Sequence, residues 1–219
     1  MGLLLENDPG RTGGVRPAVR GFPPDAEPRS GAAGPPSGVR GFPPLLGRRP
    51  RVLVLGSLPG AESLRRGEYY AHPRNAFWPI MGVLTGAGPA LPYPERCRAL
   101  TAAGIALWDV LASGSRRGSL DVHILRDSEE PNDLAGLILR EPGIRAVVFN
   151  GGKAREAFRR HISRLLPAER KLTLISLPST SPAHAGRSFG EKLQAWRVLE
   201  TLLPEPPDQV PGGRPWTAR

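Results

Sequence analysis

Four short runs of this 219-residue chain carry residue types suited to a phosphorylated or nucleotide ligand. They are Gly56-Ser-Leu-Pro-Gly60, Ala71-His-Pro-Arg-Asn-Ala-Phe-Trp78, Asn150-Gly-Gly-Lys-Ala154 and Leu177-Pro-Ser-Thr-Ser-Pro-Ala-His184. Glycines let a backbone approach a ligand closely, and bare amides at helix starts attract phosphate. Asp109 and Asn150 each end an apolar run, so a carboxylate and an amide can either meet a base edge or cap the following turn. Other chemistries fit less well. A P-loop needs Gly at 147 and Ser or Thr at 154, where the chain has Val147 and Ala154. A serine hydrolase using Ser179 or Ser181, His184 and Asp109 would lack the Gly-x-Ser-x-Gly elbow, and its nucleophile and base would sit too close along the chain. Four His (72, 123, 161 and 184) show no metal-ligand spacing, and one cysteine, Cys97, excludes a disulfide framework. No metal and no cofactor are expected.

The elements that must position these runs are short. Apolar, β-branched stretches at 52–55, 105–108, 144–149 and 172–177 read as buried strands. Helices fit between them: one over 94–103 ending at Gly104, one capped by Asn132 with Leu134, Leu137 and Ile138 on one face, and one lined by Ala154, Ala157, Phe158 and His161. The last starts with a Ser188–Glu191 capping box and buries Leu193, Trp196, Leu199 and Leu203. Strand and helix alternating four times predict an α/β fold with a parallel sheet covered on both faces. The four chemical runs then fall at the carboxyl ends of strands, where open parallel sheets bind ligands.

Composition sets the domain limits. Of 26 Pro and 27 Gly, ten of each lie in residues 1–50, and five Pro and two Gly lie in 204–219. We expect a disordered Pro/Gly/Arg-rich tail over 1–38, one α/β domain over 39–203, and a disordered tail over 204–219. Val19-Arg-Gly-Phe-Pro-Pro24 recurs as Val39-Arg-Gly-Phe-Pro-Pro44, too few copies for a solenoid. The formal charge is +10, with only three lysines (Lys153, Lys171 and Lys192) among 30 basic residues, and the central domain retains most of the excess. A basic domain favours an anionic partner, nucleic acid first. Neither an 18-residue apolar run nor an export signal is visible, so no membrane association and a cytoplasmic location, nucleoid-associated in a prokaryote, are expected.

Together and in this order, the four runs resemble the uracil-DNA glycosylase superfamily, most closely its hypoxanthine-DNA (deoxyinosine) glycosylase branch, with the mismatch-specific uracil glycosylases next. The resemblance spans residues 41–203 and implies a three-layer α/β/α fold around a short, mostly parallel four-stranded sheet. Two positions depart from relatives in the superfamily. Leu58 stands where mismatch-specific enzymes place a water-positioning Asn, and Leu177 where other uracil enzymes place a His. The hypoxanthine branch also lacks the first Asn, and its catalytic Asn carries over to Asn75. The resemblance implies a monofunctional enzyme that flips a deaminated base from damaged, double-stranded DNA, hydrolyses its N-glycosidic bond and leaves an abasic site. A monomer is expected.

On that reading Phe77 is the stacking platform for the base, unless it is a core aromatic of its helix. Backbone amides near Gly56, Ser57 and Leu58 hold the leaving base. Tyr69 or Tyr70 either closes the pocket or lies on a surface loop. Ser179, Thr180, Ser181, Pro182, His184 and Arg187 face the DNA, with Lys153 as a further phosphate contact. A mismatch-type uracil enzyme and a non-catalytic DNA-binding module are the alternatives. Lyase chemistry would need one of three lysines, of which only Lys153 is near the site edge.

Overall fold

Apolar side chains at alternating strand positions build the centre of the molecule. A computed structural model describes residues 37–116 and 124–203. In chain order the elements are β1 (Ser37–Arg40), β2 (Val52–Gly56), α1 (Ala61–Arg66), α2 (Phe77–Thr85), α3 (Tyr93–Ala102), β3 (Ile105–Asp109), β4 (Leu111–Arg116), β5 (Glu130–Pro131), α4 (Leu134–Arg140), β6 (Ala146–Asn150), α5 (Gly152–His161), β7 (Thr173–Leu177), α6 (Phe189–Trp196) and α7 (Val198–Leu202). The tails expected at 1–38 and 204–219 lie outside the described residues, apart from 37 and 38, which belong to β1.

Four of the strands form a wholly parallel sheet in the order β3-β2-β6-β7. Every residue of β2 and β6 is buried, as befits strands covered on both faces. Because successive side chains point to opposite faces, β2 divides its apolar set between two layers. Leu53 and Leu55, with Val147 and Phe149, pack against Leu134, Leu137 and Ile138 of α4 and Ala157 and Phe158 of α5. Val52, Val54 and Val148 face Phe77, Ile80 and Met81 of α2, Leu100 of α3, and Trp196 and Leu199 of α6 and α7. Each large side chain removed from water here contributes about 1.5–3 kcal/mol. The expected three-layer α/β/α arrangement is the one observed. The chain leaves β2 for β3 on one side and later returns to β6 on the other. The carboxyl ends of β2 and β6 therefore flank a topological switch point, the place where such sheets hold ligands.

Local chemistry moves some boundaries. Asp133, not Asn132, caps α4: its carboxylate accepts from the Gly136 amide at 2.9 Å, while the Asn132 amide donates to the Asp109 carbonyl. The Ser188–Glu191 capping box is present. The final helix is two helices with a break at Arg197, and of its expected apolar face Trp196 and Leu199 are fully buried while Leu193 and Leu203 are partly so. A second, antiparallel sheet, β1-β4-β5, goes beyond the expected strands. It runs behind the loop that follows β2, with the Leu58 side chain in the core it covers. Among the described residues, no helix is long and apolar enough to cross a membrane.

Candidate active site

Gly56 ends β2 at the switch point, where any side chain would have to push the Asp109 carboxylate aside. A Cβ at this position would sit 2.3 Å from Asp109 Oδ1 and 3.1 Å from the Tyr70 hydroxyl. The carboxylate at the end of β3 and the phenol of the α1–α2 connection thus converge over one glycine. Asp109 is buried, and Tyr70 is half-buried. Beyond Gly56, the Ser57 and Leu58 side chains turn inward and are buried. Leu58 therefore offers a ligand its backbone alone.

Tyr70 is held in the left-handed region, at φ 54°. For a residue with a Cβ that conformation costs about 1–2 kcal/mol. Its ring stacks on Phe77, with centroids 4.1 Å apart and planes 29° apart. Phe77 is fully buried, with Trp78 and Trp196 against its edges. Tyr70 thus covers the Phe77 face that was expected to be the stacking platform, and of the two rings Tyr70 is the less buried. Tyr69 is structural. Its hydroxyl donates to the Pro43 carbonyl at 3.2 Å and its carbonyl accepts from the Trp78 indole at 2.8 Å. Burial, and secondarily the negative Asp109, push its phenol well above the usual tyrosine range.

Asn75 lies two residues before α2, partly exposed, with its side-chain carbonyl accepting from the Phe77 amide at 3.0 Å. Its own amide donates to the His72 carbonyl at 2.8 Å, and His72 Nδ1 accepts from the Arg74 amide. His72 shapes this loop. The Asn75 oxygen is consequently fixed in direction, and its second lone pair can accept from water.

Asn150 ties this loop to the next one. Its side-chain oxygen accepts from the Thr180 amide at 2.8 Å, and its side-chain nitrogen donates to Thr180 Oγ1 at 2.9 Å. The Thr180 carbonyl in turn accepts from the Ala76 amide at 3.0 Å. Thr180 is fully buried, so its hydroxyl is not available to a phosphate, a correction to its expected role. Asn150 acts on the site by fixing the β7–α6 loop against the Asn75 segment rather than by presenting its amide to a base.

Outside this junction lies an open groove of about 460 Å³, lined by Gly151, Gly152, Ser179, His184 and Arg187 among others. Gly151, at φ 100°, lets Ser179 close in; a Cβ there would lie 3.0 Å from the serine Cβ. Ser181 accepts from the Ala183 amide, Pro182 is partly exposed, and His184 and Arg187 are exposed. Beneath the same loop Lys192 is buried and donates to the Ser181 carbonyl at 3.3 Å, and burial lowers its pKa. Lys153 does not reach into the groove as a free cation. Its ammonium is bonded to Glu129 at 2.7 Å, which corrects its expected phosphate contact. Glu129 also bonds Arg160 and His161.

Sequence reasoning missed Arg116, which is buried at the end of β4 and donates to the Pro59 carbonyl. Nothing in Leu-Ala-Ser-Gly-Ser-Arg marks it. Among the described residues no cluster of His, Cys, Asp or Glu could hold a metal ion.

Comparison with known proteins follows the same lines. Residues 43–200 match the family model described as the uracil DNA glycosylase superfamily. A hypoxanthine DNA glycosylase of Methanosarcina acetivorans is 42% identical over 118 residues, which cover 53% of this chain and 73% of the relative. One from Methanosarcina barkeri is 38% identical over 152 residues, 69% of this chain and 94% of the relative. The solution structure of a candidate uracil DNA glycosylase from M. acetivorans superposes with a TM-score of 0.61 at 36% identity, covering 75% of this chain and 99% of the other.

Proposed function

The chain belongs to the uracil DNA glycosylase superfamily and is a DNA glycosylase of deaminated bases; we propose that its preferred substrate is hypoxanthine (deoxyinosine) in double-stranded DNA. The observation that carries this reading is the convergence of the Asp109 carboxylate and the Tyr70 hydroxyl over Gly56 at the switch point, with Asn75 on the adjoining loop. A base inside a duplex is out of reach, so it must be flipped into the pocket. The Tyr70 ring supplies a face on which it stacks. Asp109 accepts the N1–H of hypoxanthine. Adenine carries no proton at N1, so the same carboxylate disfavours it.

Asn75 accepts a hydrogen bond from a water and aims it at C1′ of the sugar. A neutral amide is a poor base, so the reaction leans on departure of the base and on the partial negative charge of the Asn75 oxygen facing an oxocarbenium-like carbon. Ser179, His184 and Arg187 line the groove that receives the flanking phosphates. Hydrolysis leaves an abasic site and an unbroken strand. Schiff-base chemistry is disfavoured because Lys153 is bonded to Glu129, Lys192 is buried beneath the loop, and Lys171 precedes β7 at the opposite end of the sheet. We take the protein to act as a cytoplasmic monomer, nucleoid-associated in a prokaryote, and without a cofactor.

Uracil is the second reading, since its N3–H suits the same carboxylate and one structural relative is a candidate uracil enzyme. Duplexes with a single hypoxanthine, uracil or xanthine, treated with protein and then alkali, separate the two. Strand cleavage fastest at hypoxanthine is expected. Faster cleavage at uracil would promote the second reading, and no cleavage at any lesion would refute the first.

A further inference from the structure

Arg116 is a buried cation, 2% exposed, that the reaction as described leaves without a role. It sits behind the Gly56–Gly60 loop, on the β4 side. Three carbonyls of that loop are drawn toward the β3–β4 corner. Gly56 accepts from the Val110 amide at 2.9 Å, Ser57 from the Leu111 amide at 3.1 Å, and Pro59 from the Arg116 guanidinium. No peptide among the described residues is cis, and in a trans peptide the N–H points opposite to the C=O. The N–H groups of Ser57, Leu58 and Gly60 are therefore turned away from β4, toward the side on which a base would lie. Two of these peptides are oriented by backbone bonds. The third, Pro59–Gly60, is oriented by Arg116.

The charge of Arg116 has a further consequence. As the glycosidic bond breaks, its electron pair goes to the base, which gathers negative charge beside the Asp109 carboxylate. That carboxylate holds the base through N1–H but cannot take up the developing charge, which must be offset from elsewhere. A guanidinium buried on the far side of the same loop and bonded to the Pro59 carbonyl offsets it and polarises the Pro59–Gly60 N–H as a donor.

We propose that Arg116 is a positioning residue for base departure, orienting and polarising the amide nest that receives the leaving base. The inference rests on the glycosylase reading. It is tested with Arg116→Met, Arg116→Gln and Arg116→Lys in full-length protein, by single-turnover release of hypoxanthine from a duplex at varied enzyme concentration, with thermal melting as the folding control. A misplaced or weakened donor costs on the order of 10²-fold in rate. The maximal rate of Arg116→Met should fall by about that factor while the half-saturating enzyme concentration changes less than about threefold; Arg116→Lys, which keeps the charge, should recover most of the loss and Arg116→Gln should not. Should Arg116→Met fail to fold, the contrast between Lys and Gln carries the test. Rates within threefold of wild type, a loss of affinity in place of rate, or equal losses in Lys and Gln would each overturn the proposal. A wild type that releases no base brings down the underlying reading instead, and this inference with it.

Discussion

Replacing Tyr70 by Gly should separate base recognition from folding. The ring stacked on Phe77 at 4.1 Å contributes about 0.5–1.5 kcal/mol to stability beyond its buried area. Against that loss, the backbone at φ 54° holds a residue with a Cβ at a cost of about 1–2 kcal/mol, which glycine does not incur. The two effects nearly cancel, and the remaining loss of roughly 100 Å² of buried area and of chain stiffness leaves a destabilisation of about 3 kcal/mol. For a domain of this size that lowers Tm by about 6–12 °C. Catalysis has no such compensation. Stacking of a base on an aromatic face is worth about 1–3 kcal/mol, which converts to a loss of about 5- to 150-fold in kcat/KM for hypoxanthine release. Tyr70→Phe keeps the platform and should stay close to wild type in stacking, losing only what the hydroxyl beside Gly56 supplies. The assay is base release from a hypoxanthine duplex, paired with a thermal melt of each variant. Retention of kcat/KM within twofold in the glycine variant, at a temperature where its melt shows it folded, would refute the assignment of Tyr70 as the stacking face.

Two other substitutions follow from the same geometry. Asp109→Asn replaces an acceptor-only carboxylate with an amide that can both donate and accept, so hypoxanthine release should slow by about 10- to 100-fold, the worth of a charge-assisted hydrogen bond, while discrimination against adenine narrows; competition between the two duplexes measures it, and an unchanged ratio would contradict the proposed edge reading. Glu129→Gln should destabilise the fold. Burial alone would raise the Glu129 carboxyl, but hydrogen bonds from Lys153, His161 and Arg160 outweigh it and hold the pKa at about 2, below its ordinary 4.5. A carboxylate with a depressed folded-state pKa stabilises the protein above its unfolded value and loses that contribution as pH falls from about 4.5 toward about 2. After allowance for solvent at the partly wet cluster, the difference between wild type and variant should be about 2 kcal/mol at pH 7 and should shrink across that acid window in urea melts.

The sheet was legible because its strands are short, apolar and β-branched, and burial on both faces leaves such runs few other conformations. The Ser188–Glu191 capping box was legible because its partners are three residues apart and its chemistry is local. Asn132 and Asp133 are both good caps, and only the bond from Asn132 to the Asp109 carbonyl decides between them. β4 was not legible: Leu-Ala-Ser-Gly-Ser-Arg lacks alternation, and its pairing to β1 and β5 depends on residues far away in sequence. The same distance hid the Lys153–Glu129 pair, 24 residues apart, and the Asn150–Thr180 clamp, 30 apart. Phe77 and Tyr70 flank one loop with similar rings. Packing against Trp78 and Trp196 places Phe77 underneath, and no local pattern encodes that order.

The central claim is that Asn75 directs water at a flipped hypoxanthine and leaves the strand intact. Mass spectrometry of a hypoxanthine duplex treated with wild type and with Asn75→Ala tests it most directly. Wild type should release free hypoxanthine and leave an unbroken strand bearing an abasic site, and Asn75→Ala should release base at least about 10²-fold more slowly at unchanged duplex affinity. An unimpaired Asn75→Ala, or a strand already broken before alkali, would contradict the account.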